Sequence, residues 1–154
     1  MQFIGIPALI LLGDGVAKRM AEKKLSDMRT RKILGGRIWL RLFHNSGAAL
    51  GAFKKNPGWL LAINSGMLGA VAASLSQMLT GHGNAAAKTG LSLVLGGGAS
   101  NLLDRLQRGY VPDYFSINEG DRFQKLRSIV FNCSDFCVFI GVLLFVFGKK
   151  HDWR

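Results

Sequence analysis

Between Asn56 and Ala87 the chain carries no Lys, Arg, Asp or Glu, and further charge-free blocks run from Thr89 to Leu103 and from Phe136 to Gly148. A bilayer asks a spanning helix for about 20 mostly apolar residues, so blocks of this kind point to a polytopic membrane protein. Composition agrees, with 49% of 154 residues hydrophobic, rich for a single soluble domain. The net charge of +11 is not read as a nucleic-acid signature, because the basic residues flank apolar blocks without aromatic residues interleaved for stacking. Membrane phospholipid is the expected counter-charge and partner.

The pattern predicts four spanning helices over about 3–20, 57–80, 85–107 and 128–148, in one integral-membrane domain covering 1–154. The first is expected to stay uncleaved, since no basic segment precedes it and no small-x-small site follows. Gly35-Gly36 signals a turn. The alternation of Arg37-Ile38-Trp39-Leu40-Arg41-Leu42-Phe43 then predicts a strand within a β element over about 30–55. Pro57 opens the second helix, with Gly66, Gly69, Ala70 and Ala73 as its expected packing face. A turn containing a solvated His82 leads to the third helix, and a polar loop over 108–127 leads to the fourth, which ends in the basic tail 149–154. Cys133 and Cys137, at i and i+4, read as small buried thiols rather than a disulfide or metal site.

The polar residues within these blocks are spaced for helices. Asn101, Asp104 and Arg105 stand at i, i+3 and i+4, Asn132 and Asp135 at i and i+3, and Asp14 and Lys18 at i and i+4. Asp14 and Lys18 read either as an interfacial pair, with Lys18 reaching up to the headgroups, or as a functional pair. Four spans put Asp14, Asp104, Asp113 and Asp135 at one membrane face. Two nearby carboxylates do not both ionise cheaply, so one keeps a proton while the other acts as base. Such a dyad can direct water at a peptide carbonyl without a metal or a nucleophilic Ser. Arg105 beside Asp104 commits that acid to an ion pair, which leaves Asp113 and Asp135 as the dyad. The competing readings are that all four acids are caps and ion pairs, or that they bind a cation or relay protons. A transporter would place them near mid-membrane rather than toward helix ends.

Taken together, Asp14-x-x-x-Lys18, Asn45-x-Gly47-x-Ala49-x-Gly51, Asn101-x-x-Asp104-Arg105, Val111-x-Asp113 and Phe131-Asn132-x-x-Asp135 resemble the ordered motifs of the lipoprotein signal peptidases, or signal peptidase II. The resemblance implies an all-α membrane protein with a small β element, built from four transmembrane helices and an extracytoplasmic β-cradle. It implies a monomeric, multi-pass enzyme of the bacterial cytoplasmic membrane that cuts lipid-modified prolipoproteins before a diacylglyceryl cysteine. No cofactor and no metal are implied. Asp113 and Asp135 match the catalytic dyad, while Asp14, Lys18, Asn45, Asn101, Asp104, Arg105 and Asn132 match residues that support it or contact substrate. The chain departs from the family pattern at Ser100 (usually Gly), Ser134 (usually Ala), Pro112, Leu50 and Tyr114. Ser134 is placed to hydrogen-bond near the dyad. A catalytically divergent lipoprotein-binding relative is therefore the alternative. The charge count also opposes the family topology: 16 Lys and Arg fall on the cradle side and four on the terminal side, which the positive-inside rule reads as a cytoplasmic cradle.

Overall fold

Helix α3 (Ala85–Arg108) is the element against which the other helices pack, and three consecutive glycines make this possible. Successive helical residues are turned by about 100°, so Gly96, Gly97 and Gly98 face three directions. A Cβ on Gly96 would lie 2.9 Å from Pro7 Cα in α1 (Gln2–Leu25). One on Gly97 would lie 2.6 Å from the Ser134 carbonyl oxygen in α4 (Cys133–Gly148), and one on Gly98 2.8 Å from Leu68 Cδ2 in α2 (Pro57–Thr80). The backbones of α1 and α4 thus approach closer than any side chain would allow, while at Gly98 it is the Leu68 side chain that fills the space. The computed structural model describes residues 2–25, 30–47, 53, 55–81, 84–117 and 129–148. Among these it is mostly helical, with four α-helices and one three-stranded antiparallel sheet.

The helix ends follow their sequence signals. Asn84 caps α3, accepting from Ala86 N at 2.7 Å, and donates to Gly148 O at 2.8 Å, which fastens the start of α3 to the end of α4. Gly109 closes α3 with φ of +77° and a bond from its N–H to Arg105 O. Pro7, inside α1, has no N–H for the carbonyl four residues back. That carbonyl, on Phe3, instead lies 2.9 Å from the buried Ser92 hydroxyl.

The sheet joins β1 (Arg31–Ile33), β2 (Ile38–Asn45) and β3 (Val111–Ile117), with Phe43 opposite Asp113 and Asn45 opposite Val111. Beyond β3, Phe131 N donates to Phe115 O while Phe131 O accepts from Tyr114 N and Phe115 N. The segment leading into α4 is thereby stitched to the sheet. Ala21 and Leu25 of α1 pack on Tyr114 beneath it.

Polarity is inverted relative to a soluble bundle. Lys18, Asp14, Asp113, Asn132, Ser92 and Ser134 are buried, whereas Leu9, Leu12, Trp59, Met67, Phe139 and Phe147 face outward. Helix α2 is long and apolar enough to cross a membrane; α4 is apolar but shorter.

Several expectations are revised. Helix α1 continues past Met20 to Leu25. The sheet includes β3, expected as polar loop. Helix four starts at Cys133 rather than near 128, because Phe131 is bridged to Phe115 of β3. Gly66, Gly69, Ala70 and Ala73 point outward, while Leu60, Leu68 and Leu75 face the bundle. Cys133 and Cys137 are free and part-buried. His82, Ala49, Leu50, Gly51 and the tail 149–154 lie outside the described residues.

Candidate active site

Asp135 and Asn132 are positioned by the start of α4. Asn132 Oδ1 accepts from Asp135 N at 3.0 Å, and Asp135 Oδ2 accepts from Asn132 N at 2.9 Å, a reciprocal capping box. Asn132 is therefore the cap before the helix, not a residue on its face. The cap leaves its amide nitrogen free, and this donates to Asp113 Oδ1 at 2.6 Å and to Asn101 Oδ1 at 3.2 Å. Asn101 Nδ2 donates to Asp135 Oδ1 at 2.9 Å, and Asn45 Nδ2 donates to Asp113 Oδ2 at 2.9 Å. All four carboxylate oxygens of Asp113 and Asp135 thus accept a hydrogen bond, with Asn101 and Asn132 bridging the pair.

Behind the amides lies a buried ion network. Lys18 Nζ, 1% exposed, sits 2.6 Å from Asp14 Oδ2 and 2.7 Å from Asp104 Oδ2, and donates to Asn101 Oδ1 at 2.8 Å. This last bond orients the Asn101 amide, turning its oxygen to Lys18 and its nitrogen to Asp135. Lys18 does not reach the headgroups, because two carboxylates and an amide hold it inside. Arg105 is likewise not the partner of Asp104. It donates to Asn101 O at 3.2 Å and to Gly47 O at 2.9 Å, tying α3 to the loop after β2. Ser100 and Ser134 each place a hydroxyl 2.6 Å from Asp14 Oδ2, so Ser134 bonds Asp14 rather than the dyad.

Burial is the main cause that pushes Asp113 up to about 6. The Asn45 and Asn132 amides oppose this, while the charge on Asp135 adds to it.

A cavity of about 490 Å³ opens beside Asp135, between α2, α3 and α4. Its walls are Leu60, Leu68, Val71, Val94, Val138 and Phe139, with Asn64, Asn101, Arg105 and Asp135 as its polar groups. The nine residues singled out in the sequence lie in one connected network. Asn64 was missed, although an amide inside the longest charge-free block was a visible signal.

The sequence profile described as signal peptidase (SPase) II matches residues 6–149. The chain belongs to the signal peptidase II family. It is 33% identical to the lipoprotein signal peptidase of Chlorobaculum parvum over 165 residues, covering 97% of this chain and 96% of that one. It is 28% identical to that of Serratia marcescens over 151 residues, covering 96% and 86%. Two structures described as bacterial membrane enzymes share its fold. One has a TM-score of 0.80 at 22% identity, covering 98% of this chain and 94% of that chain; the other has 0.78 at 21%, covering 98% and 88%. As a signal peptidase II the chain is a protease, and its substrates are lipoprotein signal peptides.

Proposed function

We propose that Asp113 and Asp135 form an aspartyl dyad that cleaves diacylglyceryl-modified prolipoproteins just before the lipidated cysteine. The observation that carries this reading is a pair of carboxylates bridged by two amides at the mouth of an apolar cavity. In the resting state Asp113 holds the shared proton. Asp135 takes a proton from the attacking water while Asp113 donates to the oxygen of the scissile carbonyl, which becomes tetrahedral. On collapse the C–N bond breaks as Asp135 passes the proton it took from water to the leaving amine, and a hydroxyl of the tetrahedral intermediate gives its proton back to Asp113, which restores the resting dyad. The buried Arg105 Nε, without a hydrogen-bond partner among the described residues, can serve a substrate carbonyl as the chain enters. Lys18, Asp14, Asp104, Asn45, Asn101 and Asn132 fix the dyad and do not react.

Four membrane spans fit the outward-facing apolar residues. The 24 residues of α1, α2 and α3 each give about 36 Å of helix, enough for a core of about 30 Å. The sheet then lies on the extracytoplasmic face of the bacterial cytoplasmic membrane, against phospholipid, in a monomeric enzyme. The charge count opposes this orientation, and discounting three paired residues changes it only from 16 to 13 against four. Lys18 is buried between carboxylates, Arg105 holds Gly47, and Arg108 Nη1 is paired with Glu22 at 2.7 Å. None of the three is a free flanking charge.

The test is cleavage of a diacylglyceryl-modified prolipoprotein by the purified protein in detergent, with a chelator present. Wild type should cleave. Asp113→Asn and Asp135→Asn should each lose about 10²- to 10⁴-fold, the usual worth of acid–base catalysis. A fully active single variant would refute the dyad.

A further inference from the structure

Helix α2 presents Leu60, Asn64, Met67, Leu68 and Val71 to the cavity, at successive helical steps. Asn64 is the one polar member of this stripe. No hydrogen bond joins its side chain to another described residue, although Asn84, Asn101 and Asn132 all use theirs. Asn64 lies seven residues into α2, and Asn101 lies seven residues before the end of the antiparallel α3. Both are thus about 10 Å deep from the sheet side, at the level of the dyad. An unpaired amide on an apolar membrane helix is costly and points to a partner absent from the resting enzyme.

We infer that Asn64 is a substrate-binding residue that hydrogen-bonds the main-chain N–H and C=O of one extended residue of the signal segment as it lies in the cavity beside Asp135. The chemistry favours a peptide over a lipid ester. A carboxamide offers both a donor and an acceptor, and the N–H and C=O that an extended residue presents on one side satisfy both, whereas an ester supplies only an acceptor and leaves the Asn64 oxygen unpaired in an apolar cavity. The neighbouring Leu60, Met67, Leu68 and Val71 suit the apolar side chains of such a segment. The inference rests on the peptidase reading above.

The experiment compares wild type with Asn64→Leu on diacylglyceryl-modified prolipoprotein peptides, measuring KM, kcat and Tm. Loss of two neutral hydrogen bonds should raise KM about thirtyfold while kcat stays within about twofold, as expected for binding common to substrate and transition state. A backbone-ester scan of the residues before the scissile bond locates the contact. One ester should weaken binding to wild type and make no difference to Asn64→Leu. An unchanged KM in Asn64→Leu overturns the assignment, as does an ester scan that treats both proteins alike. A KM effect that vanishes when the lipid's acyl esters are replaced by ethers also overturns it, by moving the contact to the lipid. If wild type fails to cleave any of these peptides, the peptidase reading falls first and this inference falls with it.

Discussion

Replacing Asn132 separates the two tasks its side chain performs. Its oxygen caps α4 through Asp135 N at 3.0 Å, and its nitrogen holds Asp113 Oδ1 at 2.6 Å. Asn132→Ala removes both. Loss of the cap costs about 1 kcal/mol. Loss of a donor to a buried carboxylate costs about 2 kcal/mol more, so the variant should be destabilised by about 3 kcal/mol in all. Asn132→Ser keeps an oxygen suited to the cap, since serine is nearly as good there, and should lose only about 2 kcal/mol. Both variants leave Asp113 without the amide that aligns it with Asp135, so both should lose cleavage to a similar degree, about a hundredfold. Thermal unfolding in detergent micelles measures the first quantity and lipopeptide cleavage the second. An Asn132→Ser enzyme with undiminished activity would refute the argument that the amide bridge aligns the dyad.

Lys18→Met leaves Asp14 and Asp104 buried without their cation, which should cost about 3–5 kcal/mol; little folded protein should survive detergent extraction, as gel filtration would show. The pH dependence of stability tests Asp113. Its pKa is raised from 3.8 to about 6 on folding, so between these values the folded state binds the extra proton, and stability falls as pH rises through the window. The full effect is about 3 kcal/mol. Unfolding measured at pH 4.5 and 7 should show this slope in wild type and a flatter one in Asp113→Asn; equal slopes would disprove it.

Helix α2 was legible to the residue, because Pro57 fixes its start and no charge interrupts it. Strand β3 was not. Alternation is the signal for a strand, but Val111, Pro112, Asp113 and Tyr114 are all buried, and a proline among them reads as loop. The start of α4 was misplaced for a related reason: Ile129, Val130 and Phe131 extend the apolar block without being helical. Asn132 and Asp135 at i and i+3 fit both a shared helix face and an N-terminal cap, and spacing alone does not separate the two. The same limit applies to pairing. Spacing along one helix gave Asp14 with Lys18 correctly, whereas the true partner of Asp104 is Lys18, 86 positions away in the chain. Local sequence favoured Arg105, which the fold instead spends on Gly47.

The charge balance of the network bears on which carboxylate of the proposed dyad holds the proton. Arg108 is 2.7 Å from Glu22 but 3.7 Å from Asp104, so it belongs chiefly to Glu22. That leaves Lys18 and Arg105 as the cations among Asp14, Asp104, Asp113 and Asp135. Lys18 lies directly between Asp14 and Asp104, and the two serine hydroxyls add their donors to Asp14. Asp135 stands in the first turn of α4, where the helix dipole stabilises negative charge, and accepts a backbone N–H. Asp113 accepts two neutral amides, from Asn45 and Asn132. Asp135 accepts two neutral donors as well, from Asn101 and the Asn132 N–H, and the Arg105 charge acts on both acids, so the end of α4 is the support that Asp113 lacks. On the proposed dyad, that difference favours Asp113 as the acid and Asp135 as the base.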